Sequence, residues 1–291
     1  MPHSPPQNGQ EQTSPRETAL DRIRVWHLLL GSLIVFLASG SVAAAIQGTF
    51  AAFQSFTVLA ITWFGSVVGW ITWTAFRQGL SLAALFGRPP VSLRAWSLIG
   101  VGFFADYFMG RADLNVIIPL LEKTSPTLIA DWYAASTVQP PAQVPDIVLS
   151  ALAGILFAGV FEEILFRGLI FQCWARAWNR PIGALLVASG LFAVLHGTLL
   201  STFVFAVAAT LLYIQTQSLW APVAMHMAAN GIILMDLNPA EALLVPLGIA
   251  GRQEFGWTCF AISVVLITVL FWRCRSSLDE PLPYVANEDA I

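Results

Sequence analysis

The sequence predicts an all-α fold: a polytopic helical bundle integral to a membrane, with about eight spanning helices. Three observations predict it. Hydrophobic residues make up 57% of the 291 residues and charged residues 11%, against roughly 45–50% and about 25% in soluble domains. Apolar stretches recur along the chain, most of them near the ~20 residues that a helix needs to cross a hydrocarbon core. Arginine and lysine are unevenly divided between the segments that join those stretches.

Residues 1–24 are rich in Pro, Gln and Ser and are expected to be disordered. The apolar stretches are 25–46, 50–76, 93–110, 147–174, 181–197, 199–215, 220–235 and 257–272. The first offers small residues at Ser41-Val-Ala-Ala-Ala45. It is read as a span because its polar leader is long and its apolar run exceeds the ~7–15 residues of a signal peptide core. Asp106 interrupts the third. These stretches divide the chain into N-terminal spanning helices (25–110), an extracytoplasmic loop (111–146), a core (147–236), a loop and last span (237–277) and a solvated tail (278–291).

With the N-terminus in the cytoplasm, the cytoplasmic segments carry ten of the basic residues: Arg16, Arg22, Arg24, Arg77, Arg88, Arg94, Arg176, Arg180, Arg273 and Arg275. The outer segments carry three, Arg111, Lys123 and Arg252, a positive-inside bias that places both termini in the cytoplasm. No basic run suggests a nucleic-acid partner. The three cysteines, Cys173, Cys259 and Cys274, fall singly, which excludes a disulfide framework and a cysteine-based metal motif.

The fourth stretch contains Glu162 and Glu163. A carboxylate at mid-bilayer costs roughly 2.5–3.5 kcal/mol on insertion scales, so two adjacent ones require a role. Arg167, four residues after Glu163, offers a structural ion pair. With His3 in the leader and His27 at a membrane boundary, the other two of the chain's four histidines fall within spans downstream: His196 ends Phe192-Ala-Val-Leu-His196, and His226 opens His226-Met-Ala-Ala-Asn230. His226 and Asn230 share a helical face, as do Phe192 and His196. Glu162 and Glu163 point about 100° apart, so one can be catalytic and the other structural. Periodicity does not say which.

Hydrolysis needs a base for water, a proton shuttle and donors for an oxyanion. A carboxylate deprived of water is a stronger base, and imidazole and amide N–H groups are suitable oxyanion donors. Glu162, Glu163, His196, His226 and Asn230 supply each role without serine or cysteine.

Phe161-Glu-Glu-Ile-Leu-Phe-Arg-Gly168 resembles the Glu-Glu-x-x-x-Arg motif of the CPBP family, the CAAX-protease and bacteriocin-processing intramembrane endopeptidases that include the type II CAAX prenyl endopeptidases. Phe192–His196 is similar to the family's Phe-x-x-x-His motif and His226–Asn230 to its His-x-x-x-Asn motif. Before the last motif the family usually has Thr-Gly-Ser, and Gln217 takes the glycine position here. Any one motif is common; three in order at compatible spacing are not. The resemblance covers about 80 residues. It implies that Glu162 activates water with His196 beside it, that His226 and Asn230 bind the oxyanion, and that Glu163, Arg167 and Phe192 support the site. The implied partners are a peptide or lipidated protein and the bilayer. No cofactor is favoured; zinc, held by Glu162, His196 and His226, is the alternative.

No His-Glu-x-x-His, Gly-x-Ser-Gly or Gly-x-Gly-Asp pattern is present, which removes zincin-like, rhomboid and aspartyl intramembrane proteases. A proton-coupled transporter remains, because intramembrane Glu/His sets also relay protons, as does a non-catalytic scaffold or immunity-type protein. Depth raises one difficulty. Counted from the cytoplasmic side, Glu162 and His196 lie roughly 20 Å deep and His226 only about 9 Å. A shared site requires a kink, a tilt or a last motif helix that starts deeper.

Overall fold

The computed structural model describes residues 17–49, 56–127, 152–196, 198–235, 238–249 and 251–290, and these contain helices and turns but no strand. In chain order the helices are α1 (Ala19–Arg22), α2 (Val25–Thr49), α3 (Phe56–Arg77), α4 (Leu82–Phe86), α5 (Leu93–Ala112), α6 (Ile118–Thr124), α7 (residues 152–178), α8 (Pro181–Val194), α9 (Leu199–Thr216), α10 (Trp220–Leu234), α11 (Pro239–Leu244), α12 (Arg252–Cys274) and α13 (Pro283–Glu288). Over their described residues the eight apolar stretches are mainly helical, and two of the helices, α8 and α10, are short. Two helices among the described residues, α9 and the run Arg252–Asp279, are by length and hydropathy alone able to cross a membrane.

Helix α5 sits at the centre, packed along α9, α10 and α12, while α8 lies against α7 and α9, and α10 against α7. It runs unbroken through Asp106 because Ser92 caps it, accepting from Ala95 N at 3.2 Å, and it continues through a π turn, Asp113–Ile117, into α6. The buried Asp113 carboxylate accepts from Ser201 N at 2.7 Å. Thr198, the residue before α9, makes no side-chain cap, so an aspartate from another helix satisfies this N-terminal donor. That contact holds the corner that follows His196.

Helix α7 is not uniform. It alternates π segments (Leu152–Ala158 and Ile164–Phe171) with α segments (Gly159–Glu163 and Gln172–Trp178). Inserted π turns shift the side-chain register, which a 3.6-residue period does not anticipate.

Three expectations are corrected at the chain's polar segments. Residues 17–24 are ordered: Thr18 and Asp21 form a capping box on α1, and Asp21 accepts from Arg176 Nε at 2.8 Å and Nη2 at 2.6 Å. Burial works to raise the Asp21 carboxyl, but the Arg176 guanidinium outweighs it and holds the group below the usual carboxylate value. The loop expected from residue 111 begins as helix, through α6; residues 128–146 lie outside the described residues, as do residues 1–16 of the leader. The tail expected to be solvated is docked. Tyr284 is fully buried; its N donates to Gln172 Oε1 at 2.8 Å and its hydroxyl accepts from Ser81 N at 3.1 Å. Composition reads this tail as polar because its apolar anchors, Leu278, Pro283 and Tyr284, are few.

That docking resolves the depth problem. The α9–α10 turn, with Ser218 and Leu219 fully buried, does not lie at the surface but is roofed by α4 and α13. Leu219 N donates to Phe86 O at 2.9 Å, and Asn287 Nδ2 bridges Gln217 O at 2.9 Å and Ala84 O at 3.0 Å. Beneath the roof, Gln172 Nε2 donates to Tyr213 Oη at 3.0 Å, and Tyr213 Oη donates to Leu85 O at 2.8 Å. The turn before α10 is thus covered although Trp220 itself is exposed, and His226 Nε2 comes within 3.9 Å of Glu162 Oε2.

Two backbone positions make the roof. Gln217 closes α9 in the left-handed region, φ 53°, where the family usually has glycine, and its side-chain amide donates to Ile214 O at 2.8 Å. Gly87, φ 62°, ends α4, and a Cβ there would collide with Gln217 O. Gly87→Ala is expected to lower stability by about 1–3 kcal/mol, whereas Gln217→Gly is expected to change it by less than about 1 kcal/mol. Thermal unfolding in detergent checks both; equal effects would contradict this account of the turn.

Candidate active site

The π-to-α transition in α7 sets Glu162 and Glu163 in the segment Gly159–Glu163, and their environments differ sharply. Glu163 is fully buried. Its Oε1 accepts from Arg167 Nη1 at 2.8 Å and pairs with His226 Nδ1 at 2.7 Å. Glu162 retains 22% side-chain exposure, and its Oε2 faces His196 Nε2 at 3.6 Å and His226 Nε2 at 3.9 Å. The two carboxylates thus divide as helical geometry allows: one holds a cation, the other faces two imidazoles.

The partners also fix the imidazole tautomers. His196 Nδ1 lies 2.7 Å from Phe192 O; a carbonyl only accepts, so Nδ1 carries the proton. His226 Nδ1 meets a carboxylate in the same way. Where a ring is neutral, its Nε2 is then a lone pair facing Glu162 Oε2; where it is an imidazolium, Nε2–H is a donor to it. With both rings neutral, three acceptor atoms converge, an arrangement that relaxes when one of them carries a proton or a donor enters among them. Glu162 Oε2 is itself buried and, apart from the two facing imidazoles, has no hydrogen-bond partner among the described residues, and Glu163 Oε2 and Arg167 Nη2 have none there either. Hydrogen-bonding capacity is therefore concentrated in an otherwise apolar interior.

Aromatic rings enclose the cluster. Arg167, 1% exposed, has its guanidinium carbon 4.5 Å from the Phe192 ring centroid and 5.3 Å from that of Phe205, both within cation–π range. Phe205 also meets the His226 ring edge-on at 4.8 Å, and Phe192 stacks on His196 at 4.4 Å. Gly159 lets α7 approach α10: a Cβ there would lie 3.0 Å from Met227 Cγ, beside His226.

Glu162, Glu163, Arg167, Phe192, His196 and His226 therefore form one cluster. Asn230 is adjacent on α10, but its Nδ2 donates to Gly154 O at 2.7 Å, tying α10 to the π segment of α7. The sequence does not single out Phe205 or Asp113. Both lie on or against α9, which has no motif, and only their contacts reveal them.

The zinc alternative can be tested on the donors. Imidazole nitrogen and carboxylate oxygen suit that ion, but no group of three or more His, Cys, Asp or Glu among the described residues is placed to hold a metal. Glu162 Oε2 and the Nε2 atoms of His196 and His226 face one another at 3.6 and 3.9 Å and are the groups that would hold such an ion.

The described helices thus enclose a buried Glu–His–Arg cluster in an apolar interior. Residues 144–232 match the family model described as Rce1-like, type II CAAX prenyl endopeptidase. Every motif residue named above lies inside that match. The match covers the segment that carries the three motifs and supports their resemblance to the CAAX-protease family. No curated protein and no solved structure gives a significant match.

Removing one partner of a buried ion pair costs about 3–5 kcal/mol. Glu163→Gln is expected to destabilise by that order, because Arg167 loses its counter-charge, and Arg167→Met likewise because Glu163 loses its partner. The double variant Glu163→Gln, Arg167→Met is expected to recover part of the loss. Unfolding midpoints of the single and double variants check this, and strictly additive effects would contradict a coupled pair.

Proposed function

We propose that this protein is an intramembrane endopeptidase that hydrolyses a peptide bond of a membrane-associated or lipidated polypeptide with water activated by Glu162. The observation that carries the proposal is Glu162 Oε2: buried, facing the Nε2 atoms of two anchored imidazoles, and without another partner among the described residues. A water held there loses a proton to Glu162 as its oxygen attacks the scissile carbonyl carbon. His196 Nε2, 3.6 Å from Glu162, relays that proton to the departing amine as the C–N bond breaks. Phe192 O, by fixing Nδ1–H, keeps Nε2 as the shuttling atom.

His226 stabilises the tetrahedral oxyanion. With Nδ1–H committed to Glu163, its Nε2 donates only as an imidazolium, and the Glu163 carboxylate supports that charge. One amide hydrogen of Asn230 is used on Gly154 O, and the other is the second donor. Such donors contribute about 3 kcal/mol each. No step passes through a metal.

The eight-span topology with both termini in the cytoplasm is part of the proposal. Contacts between segments support it. Those assigned inside meet one another: α1 with the end of α7, α4 with α13, and α13 with the α9–α10 turn. Those assigned outside also meet: Tyr107 Oη donates to Asn238 Oδ1 at 2.9 Å, and Arg252 Nη2 to Leu114 O at 3.1 Å.

Purified protein assayed against a peptide library is expected to lose at least about 100-fold in kcat in Glu162→Gln and in His196→Ala, and to keep its activity under chelation. Cleavage that persists in Glu162→Gln would sink the mechanism. Loss on chelation alone would move it to zinc. Solute or proton flux abolished by Glu162→Gln, without cleavage, would favour a transporter.

A further inference from the structure

We infer that the cleft between the start of α5 and the end of α9 binds the headgroup of an anionic, hydroxyl-bearing phospholipid of the phosphatidylglycerol class, in the leaflet on the face that carries the termini. The inference rests on the proposed membrane topology and not on the hydrolytic role.

The cleft has a volume of about 230 Å³, and Pro90, Ser92, Arg94, Leu98, Gln215 and Thr216 are among the residues that line it. Pockets that enclose a drug-sized molecule run to about 300–1,000 Å³, so this one takes a headgroup and leaves acyl chains outside. Among the described residues Arg94 is the one charged group on its walls, and no carboxylate lines it.

Donors and acceptors are separated across the cleft. On the α5 side, Ser92 Oγ accepts from Ala95 N at 3.2 Å, which leaves its hydroxyl proton free to donate, and the Arg94 guanidinium has only donors. On the α9 side, Thr216 Oγ1 uses its proton on Leu212 O at 2.7 Å, so its oxygen is left as an acceptor. Gln215 Oε1 is shielded from solvent and has no partner among the described residues, and a buried acceptor left unpaired is costly. A phosphodiester anion suits the first wall, and a headgroup hydroxyl, which donates, suits the second. A phosphate without hydroxyls satisfies only one of them.

The rim places the cleft at a bilayer surface. Val91 and Leu93, on either side of Ser92, are 92% and 86% exposed, and Trp96 follows at 52%. Tryptophan is typical of the headgroup level. Helix α12 runs antiparallel to α5: Ser263 Oγ donates to Ala105 O at 2.6 Å, and Gly256 packs against Val116. The C-terminal end of α12 therefore comes beside the start of α5. There the Arg273 and Arg275 guanidinium carbons lie 5.5 and 5.8 Å from the Trp272 ring centroid. Arginines gathered on one rim attract anionic lipid, and the cleft then selects among headgroups.

Lipid binding to the full-length protein tests this. Detergent-solubilised protein is titrated with dioleoyl-phosphatidylglycerol, dioleoyl-phosphatidic acid or dioleoyl-phosphatidylcholine, and retained lipid is counted by native mass spectrometry. Phosphatidylglycerol is expected to bind about tenfold or more tighter than either of the others. Arg94→Gln is expected to weaken it by about the same factor, and Gln215→Leu to remove the preference over phosphatidic acid. Arg88 is exposed on the same face but outside the cleft, and Arg88→Gln is expected to change affinity by less than about twofold. Equal losses in Arg88→Gln and Arg94→Gln, or no preference for phosphatidylglycerol over either competitor, would overturn the inference. Full displacement by millimolar glycerol 3-phosphate would make this a site for soluble anions and overturn the lipid assignment. No bond is cleaved in this assay, so its outcome is independent of whether the hydrolytic proposal stands.

Discussion

Arg167 is a guanidinium held almost entirely out of water, and much of the interior is arranged around that one charge. A permanently protonated group in an apolar bundle is tolerated only with a counter-charge and satisfied donors. Glu163 supplies the counter-charge four residues earlier on α7, and the Phe192 and Phe205 rings cover the faces of the guanidinium. The same Glu163 oxygen that receives Arg167 also receives His226. The cation thus orients an imidazole on a different helix through a shared carboxylate. Three helices, α7, α8 and α10, are tied at one point, and Phe205 joins α9 to them. The cost of burying Arg167 is offset by fixing the groups that face Glu162.

Much of this was legible in the sequence. The eight apolar stretches are mainly helical over their described residues because span length and hydropathy are local properties. The motif residues Glu162, Glu163, Arg167, His196 and His226 converge because polar groups placed in apolar stretches are stable only where they satisfy one another. The division between the two glutamates was legible as a possibility, and the contacts assign Glu163 to Arg167. What was not legible depends on partners remote in sequence. Tyr284 looks like one aromatic in a polar tail until Gln172 and Ser81 are seen beside it. Asp106 looked like an interruption of a helix that runs straight through it. The π segments of α7 left no periodic signature, and Asp113 caps a helix 88 residues away.

The departure at Gln217 is instructive in the same way. The sequence marks it only as a glycine replaced. In the structure the left-handed conformation is retained, the side-chain amide closes the end of α9, and the carbonyl is received by Asn287. The turn keeps its shape with a different residue, and it is Gly87, on the facing element, whose missing side chain makes room for it.

The roof over the α9–α10 turn has a consequence for biogenesis. Its two halves, α4 and α13, are about 200 residues apart, so during translation α4 emerges long before its partner. The Ser81 N–H, the Ala84 carbonyl and the Gln172 side-chain carbonyl await α13 while the intervening helices are made. The clasp is therefore completed last, when Tyr284 and Asn287 fold back. An assembly intermediate that has all its helices but not this clasp would differ from the finished protein chiefly at the depth of His226.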